Sequence, residues 1–460
     1  MPHDLAVTGG TLVTSRGRQA ADVVVDDGRI SAILAPGTAG PARVAIDARG
    51  RHVLPGVIDT HVHTRHPGVA EREDFLSGTS AAAAGGITTL FEMPISKLPV
   101  NSGASLIERA ALLQSTAVID YALYGGAGHE NLDAIAGQAA AGAIAFKTFL
   151  QPPPPARLDE FFGLWCTDEV ALRDVMRTVA ATGLRHCFHC EYAPLFQHLQ
   201  RELRAAGRVT GRAHAESRPP LAEALSVAIV LAIAEDLEAR VQVVHCSTPR
   251  AARLARDARA RGVDVTVETC PPYLFFTDEA LDRLGPFAVC NPPLRGDDDV
   301  RGLRDCVREG LIEVVGTDHS PFLAADKAAG ADDIFKTPPG LAALEVLVPL
   351  MLTAAHHGWI TLEQVAALCS EQAAALFRLP RKGRLAAGAD ADLTIVDLDA
   401  TWQYDSTTAI TKSRANMRIY DGVTMHGRVT ATVVRGAVVY RDGVVTGTPG
   451  HGRFVRPEPA

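Results

Sequence analysis

Residues 56–63 have the sequence Gly56-Val57-Ile58-Asp59-Thr60-His61-Val62-His63, and this stretch decides the fold of the chain. In a β-strand, residues two apart share a face, so the imidazoles of His61 and His63 can meet one metal ion. The stretch is apolar before these residues, and enzymes built on parallel sheets keep their chemistry at the carboxyl ends of such strands. Taken alone, the pattern favours two structural histidines, and the rest of the chain decides whether they are metal ligands instead.

Length and composition indicate a large globular enzyme. The chain has 460 residues, 47% of them hydrophobic, which is enough for one big domain and a smaller one. Its formal net charge of −8, without any Lys/Arg block, argues against nucleic acid as a partner. The amino terminus has no secretory signal, and the longest apolar run, Ala224 to Ala234, is too short to cross a bilayer. We therefore expect a soluble, cytoplasmic protein that does not bind membranes.

The chain alternates between two kinds of pattern. Short alternating runs occupy both ends, which predicts a small β-sandwich domain made from residues 1–54 and 384–460. Between them, residues 55–383 alternate apolar runs with alanine-rich helical stretches, as βα units around a parallel sheet do. Four consecutive prolines, Pro152 to Pro155, predict a stiff loop over the barrel mouth. Eight βα units predict a (β/α)8 barrel of the α/β class, whose strands end near His63, Met93, Gly125, Phe149, Glu191, Cys246, Thr269 and Asp318.

Closure of such a barrel brings together the polar residues at its strand ends. Lys147 lies in an apolar run, which lowers the pKa of its amine and lets the neutral form react with carbon dioxide to give a carbamate. Asp318 can offer one carboxylate oxygen to a metal and the other to a proton. The strand-end set is rich in metal ligands and consists of His61, His63, Lys147, His189, His245 and Asp318.

Each member of this set also has a structural interpretation. Lys147 can extend to solvent or pair with a carboxylate, and Asp318 can cap the helix that follows it. A strand-end histidine can be a core residue, but four of them at matching positions are harder to explain in this way. The histidines without a strand-end context are expected at the surface or in packing contacts: His66, His129, His214, His356 and His357.

With these residues in this order, the chain resembles the amidohydrolase superfamily. Within it, the sequence is similar to the cyclic amidases, namely allantoinase, hydantoinase or dihydropyrimidinase, and dihydroorotase. The resemblance implies a small cyclic amide as the substrate, whose ring C–N bond is hydrolysed, and Asp318 as the catalytic residue. It also implies two Zn²⁺ or other divalent ions, one held by His61, His63 and Asp318, the other by His189 and His245, with carboxylated Lys147 as the bridge.

Dihydroorotase is the less favoured branch. Arg65-His66-Pro67-Gly68 resembles its R-E-P-G motif, and Asn291-Pro292-Pro293-Leu294-Arg295 matches its N-P-P-L-R. However, Ile95 replaces the asparagine of its M-P-N motif, and Phe322 replaces the last histidine of its D-H-A-P-H motif. An apolar Ile95 cannot hydrogen-bond a substrate carboxylate, so dihydroorotate is disfavoured.

Other segments are most similar to allantoinase or to hydantoinase. Residues 81–89, 217–220 and 268–271 look most like allantoinase, although Pro272 replaces the histidine usual in that family's C-P-H-Y. Residues 318–322 and 339–341 look more like hydantoinase, although the tyrosine that hydantoinases carry after the lysine is absent. Both resemblances imply a five- or six-membered ureide or imide ring.

The expected substrate contacts are Arg65, Asn291, Pro339 and Gly340. Arg65 follows the first barrel strand, and its planar fork suits an acidic or ureido substituent, although a surface salt bridge is equally compatible with its position. The resemblance implies that backbone groups near Asn291 and Gly340 orient the ring.

A non-catalytic role is the alternative of another class, since the superfamily includes metal-free scaffold relatives. Such relatives have usually lost the metal ligands, whereas all six are present here. Related enzymes are commonly tetramers, so we expect a homo-oligomer, either a tetramer or a dimer.

Overall fold

The computed structural model describes residues 1–459, and its first part is a group of five strands. They are β1 (His3–Thr14), β2 (Gly17–Asp26), β3 (Arg29–Leu34), β4 (Ala42–Asp47) and β5 (His52–Pro55). Strands β1, β2 and β3 are antiparallel neighbours, while β4 and β5 run parallel to β1. The β2–β3 loop has two residues, Asp27 and Gly28, both with positive φ. Asp-Gly favours this hairpin turn, because the twist of the turn matches that of the strands.

Parallel strands from the middle of the chain form the wall of a barrel. They are β6 (Val57–Val62), β7 (Ile87–Glu92), β8 (Asp120–Leu123), β9 (Gly125–Gly126), β10 (Phe146–Phe149), β11 (His186–His189), β12 (Val241–Val243), β13 (Val265–Thr269) and β14 (Val314–Val315). Strands β8 and β9 are one wall strand interrupted at Tyr124, which leaves eight strand positions. The predicted (β/α)8 barrel is confirmed, and every wall strand ends within three residues of its predicted end.

Helices connect and surround these strands, and α8 shows how the sequence specifies them. Thr248 caps its first turn, the alanines at 251, 255 and 258 are buried, and Arg253 and Arg256 are exposed, which is typical of a helix with one solvated face. Within residues 1–459, no helix is long and apolar enough to cross a membrane. The helices are α1 (Phe75–Ala84), α2 (Gly103–Gln114), α3 (Ile135–Ala141), α4 (Glu169–Ala180), α5 (Ala193–Ala205), α6 (Ala213–Ser217), α7 (Pro220–Leu237), α8 (Pro249–Ala260), α9 (Pro271–Phe275), α10 (Glu279–Leu284), α11 (Asp297–Arg308), α12 (Ala324–Ala328), α13 (Leu347–His356), α14 (Leu362–Ala366) and α15 (Gln372–Leu376).

The barrel closes between its first and last strands. The backbone N–H of His63 donates to the carbonyl of His319 at 2.8 Å. Deeper in the wall, the carboxylate of Asp59 on β6 accepts from the Thr317 backbone N–H at 2.9 Å and from the Thr317 hydroxyl at 2.6 Å. This seam holds the end of the first strand beside the loop that carries Asp318.

Four strands near the end of the chain complete the sheet of the small domain, which β1 to β5 begin. They are β15 (Leu393–Gln403), β16 (Thr424–Val434), β17 (Ala437–Arg441) and β18 (Val444–Val445). Strand β15 pairs with β5, so both ends of the chain join one nine-stranded sheet. Val23 of β2 packs in one apolar core with Ile395 and Val433, so the sheet folds over itself as the predicted sandwich. The domain limits at 54/55 and 383/384 stay a prediction.

The proline-rich segment after β10 is a loop, as predicted. It contains 3₁₀ turns at Pro155–Arg157 and Asp159–Phe161. The Phe161 ring packs on Phe149 at the end of β10, with centroids 5.2 Å apart, and Phe149 lies 5.6 Å from the His189 ring. The loop therefore lies beside the carboxyl ends of the barrel strands.

A buried charge network joins the barrel to the small sheet. The ammonium of Lys382 contacts Asp120 on β8 at 2.5 Å and Asp392, just before β15, at 2.7 Å. Arg435 also donates to Asp120, at 3.1 Å. Burial alone would lower the pKa of Lys382, but the carboxylates of Asp392, Asp120 and Asp390 outweigh it and hold that pKa above its usual range.

Replacing Lys382 with Met should lower the free energy of unfolding by about 3–5 kcal/mol, because the buried carboxylates lose their cation. Urea-induced unfolding measures the change. The matched control is Arg301→Met on α11, which removes an exposed ion pair with Asp298 and should cost much less. Equal losses for the two variants would contradict a network that holds the domains together.

Candidate metal centre

Three predicted ligands meet at the barrel seam. Nε2 of His61 and Nε2 of His63 each lie 3.3 Å from Oδ1 of Asp318. One ligand atom from each residue lies within 4.8 Å of the other two. Tetrahedral zinc with bonds of about 2.0–2.2 Å keeps its ligand atoms roughly 3.3–3.6 Å apart. The spacing therefore suits one divalent ion.

His61 directs a lone pair into this cluster. Its Nδ1 lies 2.7 Å from Oε1 of Glu268, a carboxylate that accepts, so Nδ1 carries the ring proton. Burial lowers the pKa of His61 to about 3, which keeps the ring neutral. Its Nε2 is buried and has no hydrogen-bond partner among the described residues. A lone pair that faces the Asp318 carboxylate is repulsive unless a cation lies between them, so the residues fit a metal.

Lys147 lies on β10, and its side chain is fully buried. Its Nζ has no hydrogen-bond partner among residues 1–459. Burial lowers the pKa of Lys147 to about 8, although Asp318 and Glu268 oppose the shift. After burial, the charge of Lys147 is the next cause that lowers the pKa of both His61 and His245. A buried amine without a partner fits the predicted carbamate better than a salt bridge.

The other two predicted ligands face each other. Nδ1 of His189, at the end of β11, lies 3.0 Å from Nε2 of His245. Nε2 of His189 lies 2.9 Å from Glu191, which also accepts from Arg218 at 2.7 Å. Burial alone would raise the pKa of Glu191, but Arg218 and His189 outweigh it and lower the pKa to about 2. The ionised carboxylate accepts a hydrogen bond from Nε2–H of His189, so the lone pair of this ring is on Nδ1 and is directed at His245.

The two groups of ligands adjoin, since the rings of His61 and His245 have centroids 5.2 Å apart. The backbone is strained where they meet: Arg65, His245 and Asp318 have φ angles of +57°, +39° and +48°. Such left-handed conformations cost roughly 1–3 kcal/mol each for most residues and concentrate at functional sites. The strain turns His245 and Asp318 out of the regular strand direction.

The carboxylates that orient these ligands were not predicted as site residues. Glu268 accepts from His61, from Thr60 Oγ1 at 2.6 Å and from the His245 backbone N–H at 3.3 Å. Burial raises the pKa of Glu268 to about 7, although the hydrogen bond from Thr60 acts to lower it. An acid in the otherwise uncharged strand Val265–Thr269 is the sequence signal that would have identified it.

Arg65 lies just beyond the seam and is half-buried. Its Nη2 donates to Ser320 Oγ at 2.6 Å, and its guanidinium lies over the Phe322 ring at 4.5 Å. Its Nε and Nη1 are buried without a hydrogen-bond partner among the described residues. Burial lowers the pKa of Arg65 to about 9. These two nitrogens leave the guanidinium able to bind an external acceptor.

The remaining predicted substrate residues lie on two joined loops. The Gly340 N–H donates to the Val289 carbonyl at 3.0 Å, two residues before Asn291, and Pro339 is half-buried beside it. A Cβ at Gly340 would lie 2.5 Å from Ser320 Oγ, so glycine is required there. The fully buried Lys327 donates to Val289 O at 2.8 Å and to Pro338 O at 3.0 Å. Ser320 thus links Arg65 to this pair of loops.

Similarity to known proteins extends over nearly the whole chain. A profile of the amidohydrolase family matches residues 52–439. The allantoinase of Solibacter usitatus is 36% identical over 457 residues, which cover 99% of this chain and 97% of that protein. The allantoinase of Deinococcus radiodurans is 38% identical over 459 residues, 99% of each protein. The solved structure of L-hydantoinase (dihydropyrimidinase) from Arthrobacter aurescens has a TM-score of 0.93 at 33% identity, covering 99% of this chain and 100% of that one.

Replacing Glu268 with Gln should weaken zinc binding by about 10–100-fold, because the charge that orients His61 is lost while the side-chain volume is kept. Equilibrium dialysis against graded chelator concentrations measures the affinity. Glu309→Gln, at the exposed end of α11, is the matched control and should bind zinc as the native protein does. Equal affinity in the two variants would contradict the orienting role of Glu268.

Proposed function

The chain belongs to the amidohydrolase family, and on that basis we propose that it hydrolyses the C–N bond of a small cyclic amide, a ureide or hydantoin-type ring. One observation carries the proposal: the unpaired Nε2 of His61 faces the carboxylate of Asp318 beside the buried, unpaired amine of Lys147. Such an arrangement is costly in an apoprotein and becomes favourable when cations bind.

We assign two divalent cations, zinc or another, to the six residues. His61, His63 and Asp318 would hold one, His189 and His245 the other, with Lys147 as a carbamate between them. When bound, the cations would supply Lewis acidity to a ring carbonyl and to a water molecule. The two orienting carboxylates, Glu268 and Glu191, keep the facing nitrogens deprotonated.

Asp318 would move the proton of the reaction. Its side chain is 19% exposed, against 0% for His61 and 7% for His63, so it is the one member of this cluster open to a reactant. Oδ1 faces the histidines, which leaves Oδ2 to take the proton of the attacking water as the new C–O bond forms. The same atom returns the proton to the ring nitrogen as the C–N bond breaks.

The ring would be oriented by the groups around Ser320. Arg65 has two donor nitrogens, Nε and Nη1, without a partner among residues 1–459, and they suit the carbonyl of a ureido substituent or a carboxylate. The allantoinase relatives favour a ureide ring, and the hydantoin ring is a second candidate because of the similarity to L-hydantoinase. Backbone groups of the loops that carry Asn291, Pro339 and Gly340 would hydrogen-bond the ring edge.

We also propose that the protein works as a homo-oligomer, a tetramer or a dimer, in the cytoplasm. The proposal of an oligomer rests on the resemblance to the cyclic amidases. Sedimentation of the metal-loaded protein distinguishes the two assemblies.

Zinc-loaded protein prepared with bicarbonate should open at least one ring among allantoin, hydantoin, dihydrouracil and dihydroorotate, with a ureide or hydantoin preferred. Chelation should abolish turnover, and added zinc should restore it. Asp318→Asn should keep most of the metal and lower kcat by about 10²–10⁴-fold, because the proton carrier is lost.

The matched control for this substitution is Asp332→Asn, an exposed carboxylate beyond α12, which should have native activity. Absence of turnover with every ring would contradict the proposed function. If Asp318→Asn had the native kcat, the proposed role of Asp318 would be wrong, but the proposed function would stand.

A further inference from the structure

Asn291 has a buried histidine beside its side-chain amide. His214 lies on α6 and is 5% exposed. Its Nε2 lies 3.1 Å from the backbone carbonyl of Cys290 and 3.1 Å from Oδ1 of Asn291. One ring nitrogen thus contacts both residues at this point of the loop.

The shared contact determines which way the amide is turned. The carbonyl of Cys290 can only accept, so Nε2 of His214 must carry a proton. The Asn291 atom that faces this N–H must then be the oxygen, which turns the Nδ2 amino group the other way. Burial lowers the pKa of His214 to about 4, which keeps the ring neutral.

The backbone around Asn291 has little freedom of its own. The Val289 carbonyl accepts from Lys327 at 2.8 Å and from Gly340. The Pro292 carbonyl accepts from the Tyr273 hydroxyl at 2.7 Å. These contacts hold the carbonyls of Val289, Cys290 and Pro292 in place, and the contact with His214 fixes which end of the Asn291 amide faces the ring nitrogen.

We propose that His214 is a positioning residue that presents the Asn291 amide as a hydrogen-bond donor to a carbonyl oxygen of the ring. The inference rests on the proposed function and narrows its substrate class. A donor at this position selects a ring with a second carbonyl besides the one that is hydrolysed, as in a ureide or imide, over a simple lactam. Asn291 is half-buried, so part of the residue is exposed to solvent.

The test compares two substitutions at position 214. His214→Phe keeps an aromatic ring but removes the donor, so KM for the ring opened fastest by the native protein should rise about fivefold to tenfold, with kcat changed less than about twofold. His214→Gln offers an amide N–H near the position of Nε2 and should restore most of the native KM. His198→Phe, an exposed residue of α5, is the matched control.

The second readout is discrimination between hydantoin and 2-thiohydantoin, measured as substrates or as competitive inhibitors. Sulfur is the weaker acceptor, so the native protein should prefer the oxygen compound, and His214→Phe should lose that preference. Asn291→Asp keeps an oxygen that accepts from His214 but removes the amide donor, so this variant should also lose the preference for hydantoin. It replaces His214→Phe in the test if that variant does not fold.

Each outcome decides between the two proposals. Failure of the native protein to open any ring overturns the proposed function, and this inference with it. Native turnover, with KM and the oxygen preference unchanged in His214→Phe, overturns the inference alone. A loss of kcat at constant KM also overturns it, because a purely structural defect would act in that way.

Discussion

The seam between the first and eighth barrel strands is the contact on which the rest of the structure depends. Asp59 uses both carboxylate oxygens to hold Thr317, and the backbone of His63 binds that of His319. Because His61 is two residues after Asp59, the strand that makes the seam also turns this imidazole toward Asp318. The contacts that close the barrel therefore also bring His61 and Asp318 together.

The cluster is built at an electrostatic cost. Two buried carboxylates, Glu268 and Glu191, fix the ring protons on the outer sides of His61 and His189. The inner nitrogen of His61 then faces the Asp318 carboxylate, and that of His189 faces Nε2 of His245. The Lys147 amine has no hydrogen-bond partner among residues 1–459. Buried polar groups without partners destabilise a protein, so an arrangement with several of them in one place indicates compensation by bound cations. Asp318 is the most exposed of the three clustered residues, and its Oδ1 faces both histidines.

Much of the fold was predictable from the sequence, because hydrophobic periodicity and strand-end polar residues carry it. The ends of β12 and β14 were predicted three residues too late, since the apolar runs continue into His245 and Asp318, where the backbone becomes left-handed. The carboxylate partners were missed because a pair such as His61 and Glu268 depends on which strands become neighbours. Lys327 was missed for a related reason: a lysine among the alanines of α12 looks solvent-exposed, yet it is fully buried.

Anomalous X-ray diffraction from crystals of the zinc-loaded protein, grown with bicarbonate, tests the central claim most directly. We expect two zinc peaks in each chain, one bound by His61, His63 and Asp318 and the other by His189 and His245, with a carbamate on Lys147 between them. A catalytically active crystal form without zinc at these residues, or with Lys147 unmodified and paired to a carboxylate, would contradict it.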